Sequence, residues 1–155
     1  MLDRKSRQKT LKALGFYDGP INGKWDTATK NAVSEFQKAH MPKKYWDGGK
    51  YTEETNKWIV SANRVRRSAP NFQLKEFVCG CKGKYCSGLP DYLNEQLLKN
   101  LQSVRNEFGK PIQITCGERC RKYNCSLNGS IANSKHQYGK AVDFYIAGVT
   151  NSVAG

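Results

Sequence analysis

Apolar residues recur at helical spacing three times before residue 70. Residues 4–14 place Leu11 and Leu14 on one side and meet Gly15, which predicts a helix ending there. Residues 28–39 bring Ala32, Val33 and Phe36 to one face, with Asp26 or Thr27 available as the cap. Thr52 precedes Glu53 and Glu54, acids suited to the positive end of a helix, and Trp58, Ile59 and Val65 carry that pattern to about residue 66. Between these segments lie turn-rich stretches punctuated by Gly19, Pro20 and Gly23 and by Pro42 and Asp47-Gly48-Gly49.

The pattern changes after Arg64-Val-Arg-Arg-Ser-Ala-Pro70, a basic stretch that reads as a linker over 67–70 and as the cationic end of the third helix. Phe72, Leu74 and Phe77 open the second region, and a cysteine-rich loop follows. Pro90 suits the first turn of a helix in which Leu93, Leu97, Leu101, Val104 and Phe108 form a core stripe, stopped by Gly109 and Pro111. Ile112–Thr115 predicts a short strand, and 120–133 a polar loop. From Ala141 to Ile146 the chain alternates. Val142, Phe144 and Ile146 fall on one side, and Ala141, Asp143 and Tyr145 on the other. A strand of this kind buries the first set and presents Asp143 toward a cleft. Helix followed by strands predicts an α+β layer behind a small all-α region.

One of only two histidines, His136, stands seven residues before Asp143 in Ser134-Lys-His-Gln-Tyr-Gly-Lys-Ala-Val-Asp143. Imidazole nitrogen and carboxylate oxygen are both zinc ligands, and a catalytic zinc typically takes three protein ligands and a water. The spacing is too long for one helix face and suits a histidine on a loop before a strand aspartate. The other histidine, His40, reads as an exposed helix-end residue.

The string Ser-x-His-x-x-Gly-x-Ala-x-Asp, met at Ser134, His136, Gly139, Ala141 and Asp143, resembles the zinc D-Ala-D-Ala carboxypeptidases and related peptidoglycan endopeptidases of the Hedgehog-like peptidase fold. Ile112-Gln-Ile-Thr-Cys-Gly-Glu-Arg119 resembles that family's strand-then-arginine segment, and Asn124 falls where its following asparagine often lies. The resemblance implies metal-assisted amide hydrolysis with Zn2+ held by His136 and Asp143. It implies Arg119 beside the carbonyl oxygen or a substrate carboxylate, and Ser134 orienting the loop or the substrate. It also implies a further histidine ligand and a glutamate base downstream of the aspartate. Nothing after Asp143 is His, Asp or Glu. The second region therefore reads as a peptidase domain without its final segment, or as a binding-only relative. Glu118 is given no role as a base.

The first region resembles the three-helix peptidoglycan-binding domain through Leu11, Leu14, Gly15, Phe16, Asp18, Gly19, Gly23, Thr29, Ala32, Val33, Phe36 and Gln37. Asp26 departs from the glycine usual before the Thr helix. The expected organisation is a peptidoglycan-binding domain at 1–66, a linker at 67–70 and a zinc peptidase-like domain at 71–155. The two resemblances together are those of a phage endolysin, with a non-catalytic wall-binding protein as the alternative.

Charge fits that reading. The chain carries 26 Lys and Arg against 13 Asp and Glu, a net +13. Residues 1–69 hold 15 against 7 and residues 70–155 hold 11 against 6, so both regions are basic. Such a field favours anionic wall polymers as well as peptidoglycan. No basic recognition helix or zinc-finger spacing points to nucleic acid. No apolar run of the ~20 residues a membrane helix needs is present, and no secretory signal is visible at the N-terminus. A monomer is expected, made in the cytoplasm and acting on the wall after release.

Six cysteines, Cys79, Cys81, Cys86, Cys116, Cys120 and Cys125, all lie in the second region. Their spacing suggests two half-sites, 79/81/86 and 116/120/125. Disulfides, buried thiols and a structural metal all remain open. None is assigned to catalysis.

Overall fold

A computed structural model describes residues 1–89 and 93–149. The chain divides into two compact units, Met1–Arg66 and Arg67–Gly155.

The first unit is built from α1 (Arg4–Ala13), α2 (Thr27–His40) and most of α3 (Glu53–Ser68). Each helix starts where a short polar side chain satisfies an orphan backbone N–H. Asp3 accepts from the Ser6 N–H, Asp26 from the Thr29 N–H at 2.9 Å, and Thr52 from the Thr55 N–H at 3.1 Å. Leu11, Val33, Phe36, Trp58 and Ile59 are all but fully buried. At roughly 1.5–3 kcal/mol per buried side chain, they form the main apolar drive of this unit.

Two buried glutamines tie the turns to that core. Gln8 Nε2 donates to the Lys24 carbonyl at 2.8 Å and to Thr29 Oγ1 at 3.1 Å, while its Oε1 accepts from the Gly23 N–H. Gln37 Nε2 donates to Asp47 Oδ1 at 2.6 Å, to the Lys50 carbonyl at 2.9 Å and to Thr55 Oγ1 at 3.1 Å. Each glutamine of one helix thus holds the loop and the first turn of the next. Gly49 is required twice over: its φ is +87°, and a Cβ there would collide with the Lys30 carbonyl.

His40 is not exposed as the sequence suggested. It is half-buried, with its ring 4.8 Å from that of Phe36 and 5.6 Å from that of Phe16. A last-turn residue at i+4 from Phe36 lies on the same helix face, and the aromatic neighbours cover it.

The helix α3 extends to Ser68, and Ala69 is buried. The segment 67–70 therefore begins as the last residues of that helix.

The second unit contains α4 (Glu95–Phe108), β1 (Ile112–Cys116), α5 (Arg121–Cys125) and β2 (Asp143–Ile146), with 3₁₀ turns at Leu74–Glu76 and Lys135–Tyr138. Pro90 lies outside the described residues. The helix starts instead at Glu95, where Asn94 Oδ1 accepts from the Leu97 N–H at 3.0 Å. Its buried residues are Leu98 and Leu101, whereas Leu97, Val104 and Phe108 are only half-buried. Leu97 and Leu98 stand four and three residues before Leu101, so both border its face, and Leu98 takes the enclosed side. The expected polar loop 120–133 also carries a helical turn, α5. Asn124 within it is fully buried and donates from Nδ2 to the Ile131 carbonyl at 2.9 Å.

The strands β1 and β2 pair antiparallel, with Ile112 opposite Ile146 and Ile114 opposite Phe144. The alternation read for 141–146 appears here: Ile146 is buried and Phe144 half-buried, while Asp143 and Tyr145 are exposed. The arrangement of helices with a small sheet behind an all-α unit is α+β.

Candidate functional site

A single irregularity in the sheet decides which side chains meet. A regular ladder would set Thr115 opposite Asp143. The register instead shifts between Ile114 and Cys116, so that Cys116 is the partner of Asp143. A bulge re-aims one side chain in this way, because a one-residue slip exchanges the faces of a strand. Cys116 thereby comes to the face that carries Asp143.

His136 reaches the same place from the 3₁₀ turn Lys135–Tyr138. The turn is held on two sides. Arg119 donates its N–H to the His136 carbonyl at 3.2 Å, and Asn94 donates its N–H to the Gly139 carbonyl at 3.0 Å. The His136 ring is buried, with Nδ1 2.8 Å from the Gly117 carbonyl. A carbonyl only accepts, so Nδ1 carries the proton and Nε2 of the neutral ring is left as a lone pair. Nε2 faces Asp143 Oδ1 at 3.4 Å. One donor atom from each of Cys116, His136 and Asp143 lies within 4.8 Å of the others.

Arg119 closes the group. Its Nη2 is 3.2 Å from Asp143 Oδ2, and its Nε donates to Cys116 Sγ at 3.0 Å. Only 18% of the arginine side chain is exposed, against 56% of Asp143. The cation is thus held under a carboxylate that remains open to solvent. Glu118 is buried, and its N–H is bonded to the Phe77 carbonyl at 3.0 Å. Gly117 passes so close to Phe77 that a Cβ would stand 2.5 Å from the same carbonyl oxygen. No side chain larger than hydrogen fits there without displacing backbone.

The sequence named His136, Asp143, Arg119 and Ser134. The first three converge. Ser134 is buried at the start of the histidine turn, with its N–H donating to the Ile131 carbonyl and its carbonyl accepting from the Gln137 N–H. Cys116 is the member that sequence reading missed, grouped there with Cys120 and Cys125 and kept out of the chemistry. The available signal was its place directly before the Gly-Glu-Arg119 segment, at the end of the strand.

The six thiols are free. The half-site 79/81/86 forms and takes Cys120 as its fourth member, whereas the grouping 116/120/125 is divided. Cys79, Cys81, Cys86 and Cys120 gather into a second cluster, with sulfurs within 4.8 Å of one another, while Cys125 is exposed and belongs to neither group. Burial pushes the Cys79 thiol up to about 11 and raises that of Cys86 as well. Burial also resists ionisation of Cys81, but the Tyr85 N–H, the Cys86 and Cys79 thiols and the Gly83 N–H outweigh it and hold this thiol at about 6.

The first unit carries an open cleft lined in part by Phe16, Tyr17, Asp18, Asn31 and Glu35. No described helix is long and apolar enough to cross a membrane.

A family model described as Peptidase M15 matches residues 70–154, more than half of the chain. A second, describing a peptidoglycan binding domain, matches residues 2–58. No curated protein matches the chain.

Proposed function

We propose that this chain, which belongs to the Peptidase M15 family, is a wall-lytic peptidase that binds peptidoglycan through residues 1–66 and hydrolyses amide bonds of its peptide stems through residues 71–155. The observation that carries this reading is the convergence of Cys116, His136 and Asp143 beside Arg119. Sulfur, nitrogen and oxygen are all accepted by zinc, and three protein ligands with an open position are the usual catalytic set. The residues present therefore fit Zn2+. Cys116 stands as the third ligand, where the resemblance implied a downstream histidine. A zinc ion held there supplies Lewis-acid activation of an amide carbonyl and of water.

The protein groups do the rest. The Gly117 carbonyl fixes the tautomer and angle of His136, the outer-shell device that keeps a ligating imidazole in place. Ser134 starts the turn that delivers His136 and acts as a positioning residue. Arg119 brings a fixed positive charge to where negative charge grows on the carbonyl oxygen, a stabilisation that needs no reorganisation at the moment of reaction. Tyr145, 50% exposed and two residues from Asp143 on the same strand face, offers a ring for a stem peptide to lie on.

The peptidoglycan-binding unit raises the effective concentration of stems at the peptidase unit without adding contacts to the scissile bond. The basic surface favours retention on anionic wall polymers. An endolysin of the phage type fits these parts: a monomer made in the cytoplasm and acting on the wall once released. The test is incubation of the zinc-loaded chain with purified peptidoglycan. New amino groups without new reducing sugar ends are expected, lost in His136→Ala and reduced about 10²–10³-fold in Arg119→Gln. Undiminished wall binding with no release of amino groups would overturn hydrolysis and leave a wall-binding protein.

A further inference from the structure

We infer that Cys79, Cys81, Cys86 and Cys120 form a second, structural zinc site, a tetrathiolate separate from the Cys116–His136–Asp143 group. The four sulfurs lie within 4.8 Å of one another, with Cys81 and Cys86 at 3.4 Å. A tetrahedron with Zn–S bonds of ~2.3 Å has edges of about 3.8 Å, so only small adjustments are needed to enclose a zinc ion.

The backbone around the cluster is arranged to receive negative sulfur. The Gly88 N–H points at Cys86 Sγ at 3.3 Å and the Cys120 N–H at Cys79 Sγ at 3.2 Å. Amide donors aimed at sulfur favour thiolate over thiol. The loop that carries three of the ligands is closed on itself. Cys79 donates its N–H to the Gly88 carbonyl at 3.0 Å, and Lys82 and Lys84 donate to the carbonyls of Cys79 and Cys81. Lys82 and Gly83 both take positive φ, which turns the chain sharply enough to bring Cys81 and Cys86 together. The fourth ligand comes from elsewhere: Cys120 is the cap of α5. The two segments are packed hard against each other, since a Cβ on Gly80 would stand 2.8 Å from the Tyr123 ring.

The chemistry is balanced without any oxidant. Each thiol still protonated gives up its S–H proton to solvent, and four Zn–S bonds form. The product carries a net charge of −2, in a stretch where Lys82, Lys84, Arg121 and Lys122 adjoin the ligands in sequence. The need is also evident. The described part of this unit has one helix longer than two turns and a two-stranded sheet. Small domains with little regular structure commonly rely on a structural metal. A zinc here would staple the 79–88 loop to the residue that follows Arg119, and so brace the arginine of the proposed active site.

The site does not depend on the proposed hydrolysis, and the experiment keeps the two apart. The full chain and its His136→Ala variant are purified under reducing conditions, and zinc is counted by elemental analysis. Native thiols are then alkylated before and after removal of metal by a strong chelator, and the adducts mapped by mass spectrometry. The expected result is one zinc retained in His136→Ala, with Cys79, Cys81, Cys86 and Cys120 protected until the chelator is added and Cys125 reactive throughout. Cobalt exchanged into that variant is expected to show the charge-transfer and d–d bands of four-sulfur tetrahedral coordination. Zinc absent from His136→Ala would overturn the proposal. So would alkylation of all four cysteines without chelator, or a non-reduced mass lowered by disulfide formation among them. The protection pattern needs no cysteine variant, so a misfolded Cys79→Ser would not obscure the answer.

Discussion

Replacing Gly117 with alanine tests the active-site reading at a residue that bears no ligand atom. The Cβ would lie 2.5 Å from the Phe77 oxygen and 2.7 Å from both its C and Cα. All three are backbone atoms, so no side chain can rotate away. Ordinary contact requires roughly 1 Å more, which the chain can supply only by moving the 117–119 segment off Phe77. The Glu118 N–H bond to that oxygen and the 2.8 Å bond from His136 Nδ1 to the Gly117 carbonyl both depend on that segment. Lengthened by roughly 1 Å, the histidine bond ceases to exist as one. Loss of an outer-shell partner of a ligating histidine typically costs about 10–100-fold in metal affinity, or about 1.4–2.7 kcal/mol. Overpacking is expected to add about 1–3 kcal/mol of destabilisation. Zinc titration calorimetry measures the first effect in the binding phase that His136→Ala abolishes. Circular dichroism verifies that the variant is folded. A folded Gly117→Ala chain with unchanged affinity in that phase would refute the claim that the Gly117 carbonyl aims the histidine.

Three further outcomes follow from buried polar groups. Gln37→Leu leaves the Lys50 carbonyl and Thr55 without their Nε2 donor and is expected to destabilise the first unit by about 3 kcal/mol. Trp25, Trp46 and Trp58 are the only tryptophans and all lie in that unit, so tryptophan fluorescence in urea isolates it; an unmoved midpoint would refute the estimate. Asn124→Ala removes the bond to the Ile131 carbonyl and should cost about 1–3 kcal/mol in a thermal transition seen by circular dichroism but not by tryptophan fluorescence. Burial pushes the Tyr51 phenol up to about 12, with the Arg7 cation 4.0 Å from its ring pulling weakly the other way. The fold therefore favours the neutral phenol. Its contribution is intact below the ordinary value of 10.0 and is lost as pH rises through about 12. An ultraviolet titration should show a late-titrating component that is missing in Tyr51→Phe.

What the sequence alone determined is local. Capping side chains at Asp26 and Thr52, periodic apolar residues in 28–39 and 53–66, and alternation over 141–146 act within a few residues, so they are legible before any tertiary contact exists. The Ser134–Asp143 string likewise carried the histidine and aspartate of the site, and Arg119 came from its strand-then-arginine segment. The tertiary structure decided which partners those residues meet. Cys116 and Cys120 stand four apart in sequence and end in different clusters. The separation arises because a bulge aims one at Asp143, while capping α5 aims the other at the 79–88 loop. Leu98 displaced Leu97 from the core, and His40 was covered by Phe16 and Phe36, for a similar reason. Burial belongs to all the neighbours that pack on a residue, and spacing within one helix names at most those on its own face, as Phe36 for His40, and not those from elsewhere, as Phe16. The same limit hid Gly117, whose need to be glycine comes from the Phe77 backbone forty residues earlier and from no local conformation of its own.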